Sequence, residues 1–97
     1  MPKIRLTASA QDDLAEIWHY IAVEHQSLLN VDSLADAFDE HFQLIAAHPQ
    51  IGEPVEHLRP GTRRSIVKKR FLVFYQTEAE DILVLRGARL IRPEDLG

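Results

Sequence analysis

The stretch Arg63 to Arg89, RRSIVKKRFLVFYQTEAEDILVLRGAR, decides how the chain folds. It holds three short apolar runs: Ser65-Ile66-Val67, Phe71 to Tyr75, and Ile82 to Leu85. β-Branched and aromatic residues dominate these runs and no proline interrupts them, so all three read as strands. The charged breaks Lys68-Lys69-Arg70 and Glu78-Ala79-Glu80-Asp81 are short enough for hairpin connections. The expectation is a three-stranded antiparallel meander, with the rest of the chain covering one of its faces.

The residues before it supply that cover. Lys3 to Leu6 alternates, with Ile4 and Leu6 on one side, and reads as a first strand. Thr7 or Ser9 caps a helix, and Ser9-x-x-Asp12 has capping-box spacing. Asp12, Asp13 and Glu16 fall in its opening turns, where a solvated negative charge suits the helix dipole. Ala10, Leu14, Ile17, Trp18 and Ile21 form one apolar stripe, and the helix should end near Glu24 to Gln26. Trp18 lies on this stripe and reads as packing.

Asn30 or Asp32 should start a second helix, with the stripe Leu34, Ala35, Phe38, Phe42, Ile45 and Ala46. His48-Pro49 ends it, because a residue before proline avoids the helical region. The segment Pro49 to Thr62, with its prolines and glycines, reads as an ordered surface loop. The fold class is α+β: an N-terminal strand and an α-helical hairpin packed on a small antiparallel sheet.

Bulk properties bound the function. The 97 residues suit one small domain with one core and no deep cavity. No cysteine is present, so disulfides and thiolate metal sites are excluded. His19, His25, His41, His48 and His57 scatter without a metal-binding spacing, so neither a metal nor another cofactor is expected. No apolar stretch approaches the roughly 20 residues of a membrane span, which makes a cytoplasmic protein the expectation.

The net charge of −4 hides a polarity. Residues 1–58 carry two basic and ten acidic residues, a balance of −8, and residues 59–97 carry nine basic and five acidic, a balance of +4. The helical half is acidic and the sheet half basic. That argues against a general nucleic-acid coat while leaving a local cationic face for an anionic partner.

The order of elements and several stretches together resemble the ParE/RelE superfamily of toxins from bacterial type II toxin–antitoxin systems. Leu14-Ala15-Glu16-Ile17-Trp18-His19-Tyr20-Ile21 is similar to that family's L-x-E-I-W-x-Y-I helix. His48-Pro49-Gln50-Ile51-Gly52-Glu53-Pro54 resembles its N-P-x-x-G-x-P loop. Arg64-Ser65 with Arg70-Phe71-Leu72-Val73-Phe74-Tyr75, then Leu85-Arg86-Gly87-Ala88-Arg89, resemble R-S, R-Y-L-I-F-Y and L-H-G-x-R. Each motif is weak alone; the ordered set, spread over nearly the whole chain, is specific. Two departures stand out: Arg86 replaces the usual His, and Leu90 replaces a frequent acidic residue.

The resemblance implies one of two activities. RelE-like toxins are ribosome-dependent mRNA endoribonucleases, which need clustered Arg and Lys at the scissile phosphate, some of it on the helices, and often a late Tyr. Neither helix here contains Lys or Arg, and the last Tyr is Tyr75. The ParE branch is therefore favoured: a non-enzymatic inhibitor of DNA gyrase, neutralised by a ParD-like antitoxin and meeting DNA only through gyrase or the antitoxin. The runner-up is the RelE-like nuclease. A third reading is a non-toxic, antitoxin-binding regulatory module of the same fold.

Two sets of candidate residues follow. Arg63, Arg64, Lys68, Lys69, Arg70, Arg86 and Arg89 are candidates for target contact, with Arg89 equally a partner for an acidic helix residue. Leu72, Phe74, Leu83 and Leu85 are candidates for antitoxin binding. Their strands are apolar on both faces by the alternation of side chains, and one helix hairpin covers only one face.

Overall fold

The structure, a computed structural model, describes residues 3–24 and 28–89, with the side chains of residues 24 and 28–32 left aside. The elements are β1 (Ile4–Leu6), α1 (Ala8–Glu24), α2 (Leu28–Ala47), β2 (Glu53–Pro54), β3 (Arg63–Val67), β4 (Phe71–Glu78) and β5 (Asp81–Arg89). The link between the helices and Leu90 lie outside the described residues.

The sheet has five strands in the order β1-β5-β4-β3-β2. The expected meander is β3, β4 and β5, each longer than its apolar run. The first strand joins it in parallel beside β5, with Ile4 opposite Ile82 and Leu6 opposite Val84. The Pro49 to Thr62 segment is not all loop. Glu53 and Pro54 pair with Arg64 and Arg63 as a short edge strand, which proline tolerates because its missing N–H can face away from the ladder.

Thr7, not Ser9, caps α1. Its Oγ1 accepts the Ala10 N–H at 3.0 Å and its carbonyl accepts the Gln11 N–H at 2.9 Å. The capping-box reading of Ser9 and Asp12 fails because the helix has already started at Ala8. α2 starts at Leu28, ahead of Asn30 and Asp32. On α2 Ala35 is exposed and Ala37 is partly buried against the core. Ala37 precedes Phe38 and lies three residues from Leu34, whereas Ala35 is turned about 100° off that line.

The helix hairpin covers one face of the sheet. Ala10, Leu14, Ile17 and Ile21 from α1 and Leu34, Phe38, Phe42 and Ile45 from α2 are buried against Val67, Phe71, Val73, Tyr75, Ile82 and Val84. Phe38 is the hinge of this layer. Its ring centroid lies 5.2 Å from Trp18 in a perpendicular edge contact and 5.6 Å from Phe71 on the sheet. Such aromatic pairs add roughly 0.5–1.5 kcal/mol beyond their buried area.

The pairing of β4 with β5 contains a bulge. Phe74 is opposite Arg86, yet Tyr75 is opposite Val84, so Leu85 has no partner of its own. The extra residue shifts the alternation by one. Arg86 therefore shares the uncovered face with Leu83, and Gly87 turns toward α1.

The loop before β3 is tied down. The Tyr75 hydroxyl donates to the Pro49 carbonyl at 2.8 Å and accepts the Gly52 N–H at 2.9 Å. A Cβ on Gly52 would sit 2.5 Å from that hydroxyl oxygen and 2.8 Å from the Arg64 carbonyl, so only glycine fits. Further on, Val55 N–H bonds the Thr62 carbonyl at 2.9 Å and Gly61 N–H meets the Glu56 carboxylate at 3.1 Å. Val55 and Thr62 are buried.

Candidate functional site

The face that the helices leave open is apolar at its centre. Leu72, Phe74, Leu83 and Leu85 are half-buried there, and Ile66, opposite Leu72, is 49% exposed. All four antitoxin-binding candidates thus fall on one surface. Leu58, at the turn of the preceding loop, is 63% exposed and adds to it. Together with Phe74, Leu85 and Ala88 it lines a groove of about 540 Å³ whose charged side chains are Arg59 and Arg86. A large apolar side chain left in water forgoes roughly 1.5–3 kcal/mol of burial, so a contiguous patch of them marks an interaction surface.

Arginines rim this surface, and three of them, Arg64, Arg5 and Arg86, are held by carboxylates. Arg64, opposite Phe74, bonds Glu53 through Nε at 2.9 Å and Nη2 at 2.8 Å. Arg5, opposite Leu83, lies 3.6 Å from Glu78 and 3.7 Å from Asp81. Arg86 is gripped by Asp13 of α1: Nε donates to Oδ2 at 2.7 Å and Nη2 to Oδ1 at 3.2 Å. Oδ2 also accepts the Gly87 N–H at 3.0 Å. The Asp13 side chain is only 13% exposed, so it is not the solvated helix-start charge the sequence suggested. Burial pushes its pKa up, but the Arg86 and Gly87 hydrogen bonds and the Arg86 charge together outweigh that and leave it lowered. Arg86 in turn is raised by its hydrogen bond to Asp13.

The target-contact candidates do not share one surface. Arg63 and Arg89 pair with Tyr75 and Phe71, which places them on the helix side. Arg63 Nη1 donates to the Gly52 carbonyl at 2.7 Å and so braces the loop. Arg89 stacks its guanidinium 3.9 Å from the Tyr20 ring centroid, a cation–π contact with α1. Lys68, Lys69 and Arg70 form the exposed β3–β4 turn, closed by a 3.1 Å bond from the Arg70 N–H to the Val67 carbonyl. Lys68 and Lys69 take φ values of 52° and 60°. Left-handed backbone costs a residue with a Cβ roughly 1 kcal/mol or more.

Comparison with known proteins places the chain in a family. A family model described as the ParE toxin of the type II toxin–antitoxin system parDE matches residues 4–86. The chain belongs to the ParE toxin family. Toxin ParE1 of Caulobacter vibrioides is 35% identical over 79 residues, 78% of this chain and 77% of that one. In fold the chain is similar to a solved chain of the chromosomal ParDE toxin–antitoxin system from P. aeruginosa. That match has a TM-score of 0.69 at 24% identity and covers 94% of this chain and 98% of the other. A conserved hypothetical protein of Helicobacter pylori matches with a TM-score of 0.52 at 18% identity, over 92% of this chain and 94% of its own. The ParE branch of the superfamily, favoured by the arginine-free helices, is the one these matches support.

Sequence reasoning missed Asp13, Arg5 and Leu58 as parts of the site. Asp13 precedes the stripe residue Leu14 and reads as one more acidic residue in an acidic turn. Its role depends on the bulge at Leu85, which no local pattern announces. Leu58 sits alone between charged residues and a proline.

Proposed function

We infer that this ParE-family toxin inhibits DNA gyrase by protein contact in the cytoplasm and is silenced by a ParD-like antitoxin seated on the uncovered sheet face. The carrying observation is the surface of Leu72, Phe74, Leu83 and Leu85 bordered by Arg64 and Arg86. An apolar segment with acidic flanks satisfies both its centre and its rim. An antitoxin tail that is disordered alone and folds as it wraps its toxin has that composition and that economy of chain. The gyrase assignment rests on membership of the ParE family and on helices with no Lys or Arg to hold a scissile phosphate.

The experiment uses purified chain in two assays side by side. Gyrase supercoiling of a relaxed plasmid should fall and cleaved plasmid should accumulate, while mRNA on translating ribosomes stays intact. Codon-dependent mRNA cleavage with unaffected gyrase overturns the assignment in favour of the endoribonuclease. No effect in either assay, with an antitoxin complex still forming, favours the non-toxic regulatory module.

A further inference from the structure

The β3–β4 turn is built against its own backbone preference. A tight hairpin with two successive left-handed residues favours Asn-Gly. Here both places are lysine, with φ 52° and 60°, and Arg70 follows them. The chain keeps charge where an uncharged pair would fold better, a pattern found at functional sites.

The charge at this turn is also segregated from acid along the strands. The strand segments nearest to it, 65–67, 71–76 and 85–89, contain no Asp or Glu and add Arg89, while the charge of Arg86 is met by Asp13 of α1. Glu53 sits on the edge strand β2, bound to Arg64, and the sheet's other acidic residues Glu78, Glu80 and Asp81 lie at the β4–β5 turn, at the far end of the eight-residue β4. That is about 25 Å away. The turn is thus the positive pole of a charge gradient that runs along the strands.

Its chemistry is that of a backbone reader. Val67 and Phe71, which flank the three cations, are both buried, and the nearest exposed apolar side chain is Ile66, one step back along β3 on the open face. A row of adjacent cations matches a row of evenly spaced phosphates. We propose that the β3–β4 turn contacts the backbone of duplex DNA, with Lys68, Lys69 and Arg70 meeting neighbouring phosphates. The net charge of −4 and the Lys- and Arg-free helices keep the contact local and sequence-independent. It differs from the DNA contact made only through gyrase or antitoxin, and it requires neither protein.

The test titrates a fluorescent mixed-sequence duplex with the free chain, followed by anisotropy at several salt concentrations and without gyrase. Three phosphate contacts give a log–log salt slope near −2.7, about a 40-fold loss of affinity between 50 and 200 mM salt. The double variant Lys68→Asn, Lys69→Gly installs the pair that the turn prefers. It should melt no lower than the parent, bind at least about tenfold more weakly at 50 mM salt, and keep a slope near −0.9. If that variant melts lower, Lys68→Gln with Lys69→Gln carries the same expected loss without altering the turn. An unchanged slope in a folded variant overturns the proposal, as does a parent that leaves the duplex unbound at 50 mM salt. Displacement of the duplex by polyglutamate at equal charge concentration also overturns it, because it identifies an acidic protein as the better match. Gyrase inhibition is read separately, so either reading can fail without the other.

Discussion

One carboxylate, that of Asp13 on α1, closes the edge of β5 by taking two hydrogen bonds from Arg86, at 2.7 and 3.2 Å, and one from the Gly87 N–H at 3.0 Å. β1 pairs only as far as Val84. Beyond that point a side chain does what a strand would have done. Asp13→Ala removes this partner from a part-buried N–H and should cost about 1–3 kcal/mol. Arg86→Ala should cost less, because Gly87 keeps its acceptor. Urea unfolding of the two variants gives the order, and equal losses would show that the Gly87 bond contributes nothing.

Acid should weaken the fold in two stages. His41 Nε2 lies 2.5 Å from Ser65 Oγ between α2 and the sheet, and burial lowers its pKa. The unfolded chain therefore takes up this proton first, and stability falls as pH drops below about 6.5, levelling once folded His41 also protonates. Asp13 has a lowered pKa, so its contribution is complete above the ordinary carboxylate range, about pH 4, and is lost below it. A melting-temperature series in pH should lose its upper stage in His41→Gln and keep its lower one.

Gly52→Ala should destabilise by about 1–3 kcal/mol through overpacking, because the new methyl meets the Tyr75 hydroxyl at 2.5 Å and the Arg64 carbonyl at 2.8 Å. Tyr75→Phe should also destabilise, by stranding the Gly52 N–H. If the two losses add in full in the double variant, the glycine and the hydroxyl are not one lock.

Leu72→Asp and Leu83→Asp should each abolish the antitoxin complex while far-UV circular dichroism stays unchanged. Both residues lie on the open face. The free parent chain should self-associate and bind a hydrophobic dye, and antitoxin should reverse both. A free chain that stays monomeric and dye-negative at high concentration counts against the proposed docking surface.

Arg64→Gln should weaken growth arrest with a stability change within about 0.5 kcal/mol, because its Glu53 pair is exposed on both sides. Full toxicity in this variant would move the target contact off the sheet rim.

How legible this was in the sequence depended on the range of the interactions. The period-2 runs of β3 to β5 and the stripe Leu14, Ile17, Ile21 are local signals, and they gave the layers and the doubly apolar sheet. β2 escaped notice because two residues carry no period, and Ala35 misled because it adjoins Leu34. The site was half legible. Leu72, Phe74, Leu83 and Leu85 were readable from alternation on β4 and β5. The grouping of arginines was not, since Arg63 and Arg64 face opposite ways and the Leu85 bulge sends Arg86 outward but Arg89 toward Tyr20.

The position of β5 has a consequence for how the protein is made. It is the last of the described strands in the chain and stands between β1 and β4 in the sheet. Thr7, which caps α1, also anchors to it: its N–H bonds the Val84 carbonyl and its hydroxyl the Leu85 carbonyl. A ribosome that stalls or stops before Ile82 therefore leaves a first strand with no neighbour, a helix without its floor and β4 without one edge. Pairings this distant in sequence form late and together. Products that end before Ile82 would therefore lack the sheet face proposed here to meet the antitoxin, and that face exists only once β5 has been made.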